Sequence, residues 1–126
     1  MKIVALVARL MLGVLFTFFG INGLHPLFKS PPPPQGVAGQ FIGALTSTHY
    51  IQVVASIMVV SGVLFLVGRF VPLALTLLGP LLVNILLFHL LIAHPGYQLG
   101  VLATLLWFLV FWRHRAAFAG IFQART

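Results

Sequence analysis

The stretch that decides the fold is VPLALTLLGPLLVNILLFHLLIA, which covers residues 71–93 and contains no charged side chain. Because a helix rises about 1.5 Å per residue, this stretch is long enough to cross the roughly 30 Å hydrocarbon core of a bilayer. Its apolar residues do not alternate with polar ones, so a helix is the only spanning element that it predicts. Residues 71–93 therefore predict a membrane-spanning helix.

Three further apolar runs of similar length accompany this one. The predicted spans are about 3–24, 50–67, 71–93 and 97–112, within a single domain of residues 1–126. An outer loop, 25–49, joins the first two spans and contains a short apolar segment that cannot cross a membrane. The sequence thus predicts an all-α fold, an integral membrane four-helix bundle. The short segment is either an interfacial helix or a re-entrant one, in which Gln40 and Phe41 would cover a cavity.

The composition excludes several classes of enzyme. The chain has 61% hydrophobic and 6% charged residues, and it contains no Asp, Glu or Cys. It therefore offers no carboxylate base, no Ser-His-Asp triad and no thiolate for a metal. Only His, Tyr, Lys and Arg remain for proton transfer, so a non-catalytic role is expected. The net charge of +7 fits anionic lipid headgroups, and no nucleic-acid partner is predicted.

The distribution of cations predicts the orientation. Six cations fall on one side of the four spans, and only Lys29 falls on the other. Both termini are therefore expected in the cytoplasm, according to the positive-inside rule. The basic tail, 113–126, is expected on the inner leaflet, with Phe118, Ile121 and Phe122 toward the lipid.

Arg9 lies within the first span, although no acidic side chain of the chain can pair with it. Its counter-charge is a lipid phosphate, the C-terminal carboxylate, a bound anion, a quinone carbonyl or an acid of another subunit. Two helix faces have small residues at a spacing of four, and they predict close contact with a partner or with lipid. Their members are Arg9, Gly13 and Thr17 in the first span, and Gly96, Gly100 and Thr104 in the fourth.

Polar side chains near the outer ends of the spans form a candidate ligand site, whose members are Asn22, His25, His49, Asn84 and His89. One interpretation is helix packing through hydrogen bonds. A second is a pocket for a quinone or another small molecule, with His89 donating to a carbonyl oxygen. A third, ligation of haem or another metal by His49 and His89, is disfavoured, because no two histidines of one helix face the same point. No metal site is therefore predicted.

The sequence resembles the DoxX-like family of small four-helix bacterial membrane proteins. The resemblance rests on RLMLGVLF from Arg9, FGINGL from Phe19, SGVLFLVGRFVPLAL from Ser61 and GPLLVNILLFH from Gly79. It implies a bacterial inner membrane and links to quinone-dependent thiosulfate oxidation or to complexes that handle oxidative stress. The family usually has a Lys where this chain has Gly23, and a Glu near Ile57 or Met58 that is missing here. Independent redox catalysis is therefore not expected.

Two functional hypotheses follow from these observations. The first is a non-catalytic DoxX-like subunit that packs with a larger membrane complex, with electron transfer as the complex's expected activity. The alternative is a membrane oxidoreductase subunit that binds a quinone or another small molecule, with Asn84 and His89 central. A quinone is the only cofactor that the sequence suggests, and the lipid bilayer and other membrane subunits are the expected partners.

Overall fold

The computed structural model describes residues 2–25 and 35–124, and every regular element within them is helical. The α-helices are α1 (Lys2–Leu24), α2 (Val37–Ser47), α3 (Tyr50–Val67), α4 (Val71–Leu87) and α5 (Tyr97–Arg113). A π-helical turn (Phe88–Ile92) extends α4, and a 3₁₀ segment (Arg115–Phe122) follows α5. Lys29 and Arg125, on which the predicted orientation partly depends, lie outside the described residues, as does the proline run 31–34.

Several helices are long and apolar enough to cross a membrane. In the described part of the chain these are Lys2–Leu24, Tyr50–Val67 and Val71–Ile92. A fourth crossing results if α5 and the 3₁₀ segment count as one span, although the chain bends by 88° between them. The predicted all-helical class is confirmed, because runs of apolar residues without strand alternation leave the helix as the local solution.

Helices α1 and α3 pack antiparallel along a seam of small residues. A Cβ added to Gly62 would lie 2.6 Å from the backbone nitrogen of Thr17, and one added to Gly20 would lie 2.9 Å from the carbonyl oxygen of Ala55. Later residues of α1 thus face earlier residues of α3. Such close backbone approach is possible only where side chains are absent or very small.

Helix α4 packs on α3 and on α5, while α5 also contacts α1, so each of these four helices touches two others. The indole nitrogen of Trp107 donates a hydrogen bond to the carbonyl oxygen of Leu75, at 3.0 Å, and thereby joins α5 to α4. Gly79 faces the same indole ring. The core between the helices contains the fully buried side chains of Leu12, Phe65, Leu75, Leu78 and Val110.

The 3₁₀ segment closes one end of this core. Phe118 is buried and packs against Phe111, with 5.1 Å between their ring centroids, whereas Phe122 is 85% exposed. Only Ile121 and Phe122 of the three predicted apolar contacts of the tail are thus free to touch lipid. Phe118 turns inward because the 88° bend after α5 directs this segment across the ends of the helices.

The outward faces of the helices are apolar. Val14, Val53, Val83 and Leu105 are each more than half exposed, on four different helices. A water-soluble fold rarely leaves such large contiguous apolar areas uncovered, and hydrocarbon is the solvent in which they are not costly.

Gly62→Ala is expected to destabilise the protein by about 1–3 kcal/mol, the usual cost of overpacking a tight contact. The new Cβ would meet the α1 backbone, which cannot move aside as a side chain can. Thermal unfolding in detergent micelles measures the effect. Gly43→Ala is the matched control, because a Cβ at Gly43 on α2 meets no atom within 4 Å. Equal midpoints for the two variants would contradict the proposed seam.

Candidate functional site

A cavity of about 300 Å³ lies between the helices, at the end where α1 ends and α5 begins. Its walls come from α1, α3, α4 and α5 and include Phe16, Phe19 and Met58. Among the described residues that line it, His89 is the only one with a titratable side chain. We call this space the His89 cavity. Its volume is at the lower end of the range of small-molecule pockets.

Small residues leave the room for this cavity. Gly23, Ala55, Gly100 and Ala103 stand at its walls, on three different helices. Gly100 belonged to a predicted contact face, but the others were not predicted as site residues. They could have been recognised in the sequence, because they occur at a similar depth in three predicted spans, where larger apolar residues are more usual.

The irregular end of α4 positions the imidazole of His89. The turn Phe88–Ile92 is π-helical, and the backbone N–H of Ala93 donates to the carbonyl oxygen of Phe88 at 2.8 Å. The Nδ1 atom of His89 lies 2.9 Å from the carbonyl oxygen of Pro95 and 3.2 Å from that of Ala93. The ring lies over Gly96, where a Cβ would come within 3.2 Å of the imidazole Cε1. The side chain thus caps the helix end and braces the turn before α5.

These contacts determine which nitrogen carries the proton. A carbonyl oxygen only accepts hydrogen bonds, so Nδ1 must carry a hydrogen to bond with Ala93 and Pro95. We therefore assign the Nδ1–H tautomer to neutral His89. Its Nε2 atom then has a free lone pair, and no described residue bonds to it. In the neutral state, Nε2 can accept a hydrogen bond but cannot donate one.

Of the five predicted ligand residues, only His89 is among the described residues that line the cavity. Asn84 is exposed, and its amide donates to the carbonyl oxygen of Pro80 on the same helix, at 2.9 Å. Five residues along a helix correspond to about 140°, so Asn84 and His89 face different directions. His25 and His49 are exposed, while Asn22 is half-buried near the end of α1. In the described part of the chain, no three metal-ligating side chains converge on one point.

The two small-residue faces contact helices of the same chain. Gly13 and Thr17 pack against α3 at Gly62, and Gly100 packs against Leu86 of α4. Gly96 lies beneath His89, and Thr104 donates a hydrogen bond to the carbonyl oxygen of Gly100. These residues were predicted to contact a partner or lipid. Gly13, Thr17 and Gly100 contact helices of the same chain, because the same lack of side chains that admits a partner also admits a neighbouring helix. Contact of the two faces with a partner or with lipid stays a prediction.

A group of cations occupies the opposite end of the packed helices, which we call the basic end and define by Arg9, Gly68, Arg113 and His114. The guanidinium of Arg9 lies directly against Gly68, in the turn between α3 and α4, where any Cβ would overlap it. Burial lowers the pKa of His114 below its ordinary value of 6.5, and the charges of Arg113 and Arg9 lower it further. Arg9 therefore reaches the end of the helices, close to other cations.

Helix α2 lies beside the cavity end of the molecule. It packs on α3, and the ring of Phe41 lies 5.5 Å from the ring of Phe88, the residue before His89. Gln40 and Phe41 are both exposed and do not line the cavity. The short helix therefore touches the π-helical turn that carries His89 without filling the space beneath it.

Comparison with protein family models, with curated proteins and with solved structures finds no match to this chain.

Arg9→Gln is expected to raise the pKa of His114, because removal of a nearby positive charge makes protonation easier. The pKa should remain below 6.5, since burial is the largest cause of the shift. NMR titration of the imidazole protons in micelles measures this change. The exposed cation Arg69 supplies the control, Arg69→Gln, which should leave the pKa unchanged. An unaltered pKa in Arg9→Gln would mean that Arg9 does not act at the basic end.

Proposed function

We propose that this chain is an integral membrane protein, a four-helix bundle that holds a lipophilic small molecule in the His89 cavity. One observation carries the proposal: a single imidazole with an assigned tautomer borders an otherwise apolar space between four helices. Pockets of this kind, apolar with one or a few placed polar groups, are typical of small-molecule sites. The exposed apolar faces of the helices support a bilayer as their surroundings.

In this proposal the basic end faces the cytoplasm of a bacterial cell, and the cavity end faces the outer side of the inner membrane. The distribution of charge supports this orientation. Among residues 2–25 and 35–124, every Lys and Arg lies in the first half of α1, in the turn between α3 and α4, or at and after the end of α5: Lys2, Arg9, Arg69, Arg113 and Arg115. Both termini are then cytoplasmic, according to the positive-inside rule.

We assign α2 to the outer interface. Its 11 residues are too few to cross the bilayer. The contact between Phe41 and Phe88 supports a position beside the cavity end, close to the turn that carries His89. A re-entrant path is not needed to explain this contact, because Phe41 remains exposed and lies outside the cavity.

The tautomer of His89 specifies the chemistry of the ligand. A quinone offers only carbonyl oxygens, which need a donor, whereas neutral His89 offers an acceptor at Nε2. The favoured ligand is therefore an apolar ring that carries a hydroxyl group, such as a quinol or another phenol. This reverses the hydrogen bond expected from the sequence, in which His89 donated to a quinone. The resemblance to the DoxX-like family agrees with a ligand of the quinone and quinol class.

We favour a role in which this chain binds or positions the ligand over a role in which it catalyses a reaction without another subunit. Transfer of electrons from a quinol needs an acceptor, which a companion subunit would provide. The membrane-complex hypothesis thus remains a proposal, although its first argument is weakened. An acid of another subunit was one of several counter-charges expected for Arg9, but its guanidinium lies at the end of the helices, where lipid headgroups can neutralise it.

Two probes test this function: 1-naphthol, whose hydroxyl group can donate a hydrogen bond, and its methyl ether, in which a methyl group replaces the hydroxyl hydrogen. In nanodiscs, 1-naphthol is expected to bind about five- to tenfold tighter than its methyl ether, as one additional hydrogen bond predicts. His89→Leu should remove this preference by removing the acceptor. Ala103→Leu should weaken both probes, because the larger side chain fills the cavity. Changes in naphthol fluorescence measure the affinities.

The exposed histidine His94 provides the matched control for this experiment. His94→Leu should bind both probes as the unaltered protein does. The proposal is wrong if naphthol and its ether bind equally well to the unaltered protein, or if the preference survives in His89→Leu.

A further inference from the structure

The basic end contains a cation whose position is determined by the backbone. The guanidinium of Arg9 lies against Gly68, whose φ of 71° is in the left-handed region and whose missing Cβ provides the space. Arg9 is half-buried, although it is carried by a helix with an otherwise apolar exterior. The guanidinium thus occupies the space beside the turn that a side chain at residue 68 would otherwise fill.

No side chain of this protein can neutralise that charge, since the sequence contains neither Asp nor Glu. The other charged groups described at this end are also cations, so they add positive charge and do not neutralise Arg9. Arg113 and Arg9 both lower the pKa of His114 through their positive charges. The cation–π contact of Arg115 with Trp112 occupies a further guanidinium, with 4.3 Å between Cζ and the ring centroid. No acidic side chain of this chain can therefore supply an anion at this end, and the described residues 2–25 and 35–124 contain no other anionic group.

We propose that the basic end binds a phosphate group, with the guanidinium of Arg9 donating to two of its oxygens, and that the phosphodiester of an anionic phospholipid supplies it. The planar fork of a guanidinium matches phosphate oxygens in a bidentate arrangement. A lipid headgroup is the source already present at this depth, where a helix end meets the membrane surface. This site is independent of the His89 cavity, which lies at the opposite end of the helices.

The test uses two variants that act on Arg9 in different ways. Arg9→Gln removes the charge, whereas Gly68→Ala keeps every charge and displaces the guanidinium, because a Cβ would overlap it. The protein is extracted from vesicles that contain equal amounts of phosphatidylglycerol and phosphatidylcholine, and the retained lipids are counted by native mass spectrometry. The unaltered protein should retain phosphatidylglycerol in preference, and both variants should reduce this preference about tenfold.

Two controls separate this site from general effects. Arg69→Gln removes an exposed cation of the neighbouring turn and should keep the preference. Gly36→Ala also places an alanine at a positive φ (74°), and the ψ of −147° makes its strain greater than at Gly68, where ψ is 26°, but its Cβ would meet no atom within 4 Å. It should therefore also keep the preference, and a loss in Gly68→Ala is then attributable to Arg9.

A titration with inorganic phosphate identifies the source of the phosphate group. If phosphate at millimolar concentration displaces the retained phosphatidylglycerol from the unaltered protein, and does so less well from Arg9→Gln, the site recognises the phosphate group itself. If the lipid remains bound, the phosphodiester with its glycerol headgroup is the preferred ligand. Equal retention of the two lipids by the unaltered protein, or a preference that survives in both Arg9→Gln and Gly68→Ala, would overturn the proposal.

Discussion

The close antiparallel contact between α1 and α3 is the interaction on which both candidate sites depend. In its middle, Gly62 meets the backbone of Thr17 with no room for a side chain. At one end of this contact, the approach seats Arg9 against Gly68. At the other end, Gly23 and Ala55 face one another without filling the space, and the cavity opens between them and the neighbouring helices. A single row of small residues thus packs the helices tightly and leaves a gap where no larger side chain follows.

The end of α4 shows how a helix terminus can set the chemistry of a site. Beyond Ile92 the carbonyl oxygens of Ala93 and Pro95 have left the helix and need donors, and the Nδ1–H of His89 supplies one. This bond also fixes the tautomer of the neutral imidazole. Because Nδ1 donates to the turn, it cannot accept a hydrogen bond from a ligand. The packing and ligand-binding interpretations of His89 are therefore compatible, since the ring caps the turn through Nδ1 and leaves Nε2 for a ligand.

Much of the fold was predictable because it depends on local composition. Apolar runs bounded by residues such as Gly68 and Pro95 determine where helices can begin and end, and this holds whichever helices pack together. The candidate site was less predictable. His89 was recognisable as a polar side chain that is costly in an apolar helix, but the same reasoning included Asn84, which bonds to its own helix and faces away. The free-energy cost of placing a polar side chain in an apolar helix does not indicate which group it will hydrogen-bond.

The sequence by itself determined an all-helical chain of apolar spans, with cations but no acids, because both properties follow from which residues are present. It could not specify which helix covers the small-residue face that contains Gly13, because the pattern is the same for a neighbouring helix and for another subunit. Tertiary structure alone decided that this helix is α3 and that Arg9 reaches Gly68. It also decided that His89 bends toward Pro95, because the π-helical turn and the chain reversal after it bring these two residues, which are six apart in the sequence, into contact.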